Sequence, residues 1–368
     1  MTRSALVVAP AWVGDTILAQ PMIELIRRAE PGLAIDVLAP PWTAGLAARL
    51  PGIRDVIEAP FRHGQLGLGA RRAVGHTVRA RGYAVAWVLP NSFKSALVPW
   101  FGGIPERVGY VGEWRHWLLT DARRLDAARL PTMAARFAAL ALDDGAPLPP
   151  VPQPVLDTDA QARAATLSRL GLDTTRPVAV LCPGAEYGPA KRWPPSQFAS
   201  LADRLLADGF QVWLFGSSKD QPVTAEIRSM CSARSRQVPV DLAGRTSLSE
   251  AIDLMSIAAL VVSNDSGLMH VAAALDRPLI ALYGSSSPGF TPPLSPQARV
   301  VSLGLPCSPC FARECPLGHF NCMRQLTPER VLDTIGRMNA TPNATPNATP
   351  DATAPDNPPT PTPTPTPP

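Results

Sequence analysis

The chain has 368 residues, 46% of them hydrophobic and 17% charged, with a formal net charge of +4. That length suits two domains of roughly 150 residues each, and that composition excludes a chain disordered throughout. The charge is mild and no basic stripe with interleaved aromatics accompanies it, which argues against a nucleic-acid partner.

In chain order, Ala5–Ala9 reads as a buried strand, and residues 16–29 as a helix with Ile17, Leu18, Met22, Leu25 and Ile26 at helical spacing, ended by Pro31-Gly32. Strands are predicted over 33–39, 54–59 and 83–89, with a basic helix over 70–81 between the last two. Strands alternating with helices indicate a parallel sheet covered on both faces. Residues 143–154 hold Pro147, Pro149, Pro150, Pro152 and Pro154, and predict a stiff linker between domain 1–150 and domain 151–338. The alternation then restarts with strands at 178–182, 211–215, 260–263 and 279–283, and helices at 195–207, 248–256, 268–275 and 327–338. From Asn339 the repeats of Asn-Ala-Thr-Pro and Thr-Pro, 339–368, predict a disordered tail of polyproline character.

No stretch reaches ~18 apolar residues, so no spanning helix is predicted. The N-terminus enters a strand directly, without the zones of a signal peptide, so a cytoplasmic setting is expected. Four of the six cysteines cluster instead of being spread as a disulfide framework.

Ligands of open parallel sheets bind beyond the carboxyl ends of the strands, and the motifs lie in such turns. Asn264-Asp265-Ser266-Gly267 follows one strand and opens a helix. Free backbone N–H groups and the helix dipole attract phosphate there. An ordinary cap, with Asp265 or Ser266 closing the helix, fits the same residues. Pro183-Gly184 to Lys191-Arg192-Trp193 is an extended loop after another strand, and Lys191 is a point charge suited to a diphosphate or an ordinary surface lysine. Asp15, in Pro10-Ala11-Trp12-Val13-Gly14-Asp15, reads as a helix cap or as a general base facing the other domain. His270 lies one turn into an apolar helix and reads as a core histidine or a ligand contact.

Taken together these residues resemble the ADP-heptose:lipopolysaccharide heptosyltransferases of glycosyltransferase family 9. Phe215-Gly216-Ser217, Lys219-Asp220, Leu242-Ala243-Gly244 and Ala281-Leu282-Tyr283-Gly284 add to the likeness, which runs in order over about residues 4–338. The segments at 10–15 and 288–293 are most like the members that add the second inner-core heptose. The resemblance implies an α/β GT-B fold, two Rossmann-like doubly wound domains facing across a cleft. It implies inverting transfer from ADP-heptose to heptosyl-Kdo2-lipid A, with no cofactor. Asp15 would then be the base. Lys191, Ser266 and Gly267 would hold the diphosphate, with Asp265 and His270 shaping that pocket or contacting the donor and Asp220 reaching the ribose. Sister enzymes with other acceptors, and a non-catalytic nucleotide-sugar binding module, are the competing readings. A dinucleotide dehydrogenase is disfavoured, because no G-x-G-x-x-G follows the first strand.

The implied acceptor is acidic and lipid-anchored. Arg71, Arg72, Arg79, Arg81, Lys94, Arg107, Arg115, Arg123 and Arg124, with Trp100, Phe101, Trp114 and Trp117 among them, read either as its site and a peripheral inner-membrane surface or as a solvated basic helix with core tryptophans. Lys94, just past a strand end, is the acceptor candidate. Cys307, Cys310, Cys315 and Cys322 have C-x2-C-x4-C-x6-C spacing, with His319 nearby. They read as a structural metal cluster or as reduced surface thiols; the implied chemistry needs no metal.

Overall fold

A computed structural model describes residues 3–61, 65–232 and 237–340. Strands β1 (Ser4–Val8), β2 (Ala34–Ala39), β3 (Ile53–Glu58), β4 (Val85–Val88), β5 (Glu106–Tyr110) and β6 (Asp121–Arg123) form one parallel sheet, ordered β3-β2-β1-β4-β5-β6. Strands β7 (Val178–Cys182), β8 (Gln211–Leu214), β9 (Val240–Asp241), β10 (Leu260–Asn264), β11 (Leu279–Leu282) and β12 (Ala298–Val301) form the other, ordered β12-β11-β10-β7-β8-β9. Counted within its own half, each sheet has the Rossmann order 3-2-1-4-5-6. The central strands are buried from end to end and apolar on both faces, as covered parallel sheets require. The polyproline-like tail lies, from 341 on, outside the described residues.

The helix predicted over 16–29 is two helices, Val13–Leu18 and Gln20–Ala29. Pro21 has no N–H to carry the hydrogen-bond ladder through, so the chain turns at Ala19 and restarts with proline in the first turn.

No helix or strand lies between Ala139 and Ala160, yet the end of the connection is tied to both halves. The Asp157 N–H donates to the Arg49 carbonyl at 2.8 Å, and the Asp159 N–H to Asp253 Oδ1 at 2.8 Å. Arg49 and the buried Asp253 pair across the halves at 2.6 Å. Helix Val13–Leu18 packs on helix Gly267–Ala274, and helix Pro41–Ala47 on helix Leu248–Met255. Glycine sets these approaches. A Cβ on Gly267 would stand 2.7 Å from Val13 Cβ, and one on Gly45 2.6 Å from Ser249 Oγ.

Candidate active site

The helix holding Asp15 is capped by Trp12, with no side-chain cap bond, and Asp15 is its third residue. The cap reading therefore falls. The same holds across the interface. Ser266 occupies the cap position of helix Gly267–Ala274 in extended geometry, and no side chain closes the cap. The first N–H groups of that helix keep their bonding capacity, since a helix start has no internal partners for them. Asp265 does not cap either: its Oδ2 receives Lys191 Nζ at 2.6 Å. The turn itself is fixed from behind. Buried Asn264 accepts from the Trp193 N–H at 3.1 Å and donates to the Pro183 carbonyl at 2.7 Å, which ties the β10 turn to the Lys191 loop.

Asp15, Lys191, Asp265 and His270 thus form one electrostatic group built from both halves. Burial pushes the Asp15 carboxyl up to about 6, the Lys191 ammonium pulls it back, and the Asp265 charge adds to the rise. Burial pushes the His270 imidazole down to about 4; Asp265 raises it, Lys191 lowers it. His270 is therefore neutral at pH 7. Its ring lies against the first turn of helix Val13–Leu18, where a Cβ on Gly14 would stand 2.8 Å from His270 Cδ2. Lys191 is steadied from its other side by the Tyr187 ring, 5.1 Å from Nζ.

Asp220 stands at the carboxyl end of β8, but its Oδ2 is committed to a capping box, accepting from the Ser217 N–H and Oγ–H at 2.8 Å each. Its Oδ1 faces the backbone of Gly184, where a Cβ would stand 2.5 Å away. Sequence reasoning missed Ser286. It is 7% exposed, sits in the turn after β11, and its hydroxyl is buried without a protein partner. A buried orphan hydroxyl at a strand's carboxyl end is ready for a ligand. No residue pattern announces it.

Lys94 lies in a 3-10 turn past β4, the neighbour of β1, half-buried, and its carbonyl accepts from Arg71 at 3.0 Å. Much of the basic set around it does structural work. Arg71 donates to the Leu66 carbonyl at 2.6 Å, Arg81 pairs with Asp36 and Asp55, and Arg107 donates to the Leu118 carbonyl at 2.6 Å. Arg123 pairs with Asp121 and reaches the carbonyls of Ala139 and Leu142. Arg115 is fully buried and bonds the carbonyls of Pro90, Ser92 and Tyr110, welding the two loops together. The tryptophans go the other way. Trp100, Trp114 and Trp117 are 41%, 83% and 54% exposed, so the core reading fails for them.

Cys307, Cys310, Cys315 and Cys322 are free and line one small cavity beside Ala190. Among the described residues no three histidine, cysteine or acidic side chains are already arranged about a metal position. A separate cavity of about 400 Å³, lined by Arg228, Pro239 and Asp241 beside edge strand β9, holds none of the residues above.

The family model for glycosyltransferase family 9 (heptosyltransferase) matches residues 71–321. This chain belongs to that family. It is a glycosyltransferase. It is 44% identical over 336 residues to Lipopolysaccharide heptosyltransferase 2 of Salmonella typhimurium, spanning 90% of this chain and 97% of the relative. It is 45% identical over 306 residues to Lipooligosaccharide heptosyltransferase 2 of Haemophilus influenzae, spanning 81% and 88%. The structure of the ADP-heptose LPS heptosyltransferase II of Escherichia coli superposes with a TM-score of 0.82 at 41% identity, covering 93% of this chain and all of that one. The two six-stranded sheets are therefore the two halves of a GT-B fold.

Proposed function

We propose that the chain moves L-glycero-D-manno-heptose from ADP-heptose to the first heptose of the lipopolysaccharide inner core, heptosyl-Kdo2-lipid A, with inversion. One observation carries the reading. A carboxylate from one half that caps no helix, raised to about 6, is coupled to a lysine from the other half, and the carboxylate's helix packs on a helix whose start is open. Asp15 takes the proton of the acceptor hydroxyl as its oxygen bonds to the anomeric carbon. The bond to ADP breaks, and ADP leaves with that electron pair. Charge then grows on the diphosphate, where Lys191 and the N–H groups of Ser266 and Gly267 act as preorganised donors. Neutral His270 and Asp265 shape the pocket. Asp220 is assigned to the ribose through Oδ1, Ser286 to the donor, and Lys94 to the acceptor's acidic groups.

ADP release should be measured with acceptors bearing zero or one heptose. Turnover is expected only with one. Turnover with the bare Kdo acceptor would assign a sister activity, and tight ADP-heptose binding without turnover would leave a binding module.

The acceptor is lipid-anchored, and we place the enzyme at the cytoplasmic face of the inner membrane. Among the described residues no helix is long and apolar enough to cross a membrane, so contact falls to the surface. Trp100 and Trp117 stack edge-on at 6.1 Å, and Phe93 lies 5.9 Å from Trp117. The neighbouring sequence supplies Lys94 and exposed Arg72 and Arg79. Aromatic rings beside cations suit an anionic lipid interface. Flotation with anionic vesicles should carry the protein upward, and Trp114→Ala/Trp117→Ala should weaken this several-fold. Equal flotation of parent and variant counts against this surface.

A further inference from the structure

Residues 302–320 run without a helix or strand through the second domain. So long an irregular stretch inside a compact domain calls for its own means of order. The stretch, with the helix Asn321–Arg324 behind it, carries the four clustered cysteines, all free. Together with His319 and Ser285, their side chains line a cavity of about 20 Å³. That is room for about one water-sized occupant.

Three features mark this cavity as built for an ion. First, Ser285, a lining residue only 1% exposed, has a buried hydroxyl with no hydrogen-bond partner; a thiolate sulfur would accept from it. Second, Cys315 Sγ accepts a backbone hydrogen bond from the Phe320 N–H at 3.4 Å, which holds this sulfur in place beside the cavity. Third, Gly284 lets the segment that carries Cys322 come close, since a Cβ there would stand 2.4 Å from Met323 Sδ and 3.1 Å from Cys322 Sγ. His319 is excluded as the ligand through Nδ1, which accepts the Asn321 N–H at 3.0 Å.

We propose that Cys307, Cys310, Cys315 and Cys322 form a tetrahedral thiolate site for one divalent transition metal, zinc or ferrous iron, that clamps this loop. Thiolate sulfur selects those ions, and a C-x2-C pair such as Cys307 and Cys310 is typical of structural sites. The four thiol protons leave to solvent as the metal–sulfur bonds form. In the arrangement described, the thiols ring the cavity without converging on one point. Closure uses the three staggered positions open to each side chain.

The clamp has a target. The same loop supports the turn that carries Lys191. The Phe311 carbonyl accepts from Tyr187 Oη–H at 2.7 Å, the Arg313 carbonyl accepts from the Ala190 N–H at 3.0 Å, and the Arg313 guanidinium lies 5.2 Å from the Tyr187 ring centre. Gly188 cannot carry a side chain there, because its Cβ would stand 2.4 Å from the Arg313 carbonyl oxygen. A metal in the loop thus fixes the diphosphate-side lysine without touching substrate.

The test uses the full chain purified anaerobically under reducing conditions from zinc-supplemented and iron-supplemented cells. Elemental analysis should find about one equivalent of metal, and the ion present in each preparation separates zinc from iron. Cys310→Ser should lose most of it, while Cys231→Ser, outside the cluster, should retain it. Should Cys310→Ser fail to fold, metal-stripped parent protein titrated with cobalt(II) should develop sulfur-to-cobalt charge-transfer absorption. Metal-free protein in both preparations with no cobalt–thiolate band overturns the proposal. So does full metal in Cys310→Ser, or a thiol count showing that the four cysteines are paired as disulfides.

Discussion

An Asp15→Asn enzyme is expected to bind ADP as the parent does and to turn over about 10²–10⁴-fold more slowly, the usual contribution of a positioned base. The acid limb of the pH profile gives a second signature. The carboxyl stands at about 6, so it is anionic and competent above that pH and is silenced as pH falls through it. Asp265 raises this value and Lys191 lowers it. Asp265→Asn should therefore move the acid limb to lower pH, and Lys191→Gln to higher pH. Two neighbours shifting one limb in opposite directions is hard to obtain unless Asp15 is the titrating group. Stability supplies the third. A carboxyl raised from 3.8 to about 6 favours the folded state least when ionised. The cost is fully present above about 6 and disappears as pH falls toward 3.8. Asp15→Asn should then melt higher at pH 7, by a gain of about 1–3 kcal/mol at ~1.4 kcal/mol per pH unit with partial exposure discounted. Parent-like turnover in Asp15→Asn would sink the base assignment whatever the melting curve does.

The parts legible from sequence were those where burial writes itself into composition. The run Val178–Cys182 and the helix Pro195–Ala207 have the predicted bounds, because one is apolar on both faces and the other is opened by prolines and periodic throughout. Of the edge strands, β3 was legible, while β6, β9 and β12 escaped. Strands β6 and β9 are three and two residues long, and β6 is Asp-Ala-Arg, whose arginine is buried only because carbonyls receive its guanidinium. No hydrophobic period can report that. Strand β5 and the helices Ala160–Leu170 and Gln221–Ser232 were missed as well; in Ala160–Leu170 only Thr166 is buried, so its apolar stripe is faint. At the site, the residue types pointed to a diphosphate and a base, but each left a capping explanation standing. Only the cap geometry at Trp12 and Ser266 removes it. The orphan hydroxyl of Ser286 and the buried role of Arg115 depend on what surrounds them in space, and one chain read in order carries no trace of either.

Lys191→Met is expected to cost both stability and catalysis, and the two losses can be separated. Its partner Asp265 has a side chain only 4% exposed, while that of Lys191 is 18% exposed. Removing the lysine leaves a buried carboxylate without its counter-charge, which costs about 2–4 kcal/mol once the partial exposure of the lysine is allowed for. In the proposed mechanism it also removes a preorganised cation from the leaving diphosphate, a loss of about 10²–10³-fold in kcat by analogy with deleting one such donor. Adding Asp265→Asn to Lys191→Met relieves the first loss but has no means of relieving the second. Thermal unfolding of the four proteins of this cycle should therefore show strong coupling between the two sites, with the double variant recovering most of the melting temperature. Their kcat values should show no recovery. If turnover returns together with stability, the lysine serves only to neutralise Asp265, and the diphosphate must be held by the helix start alone.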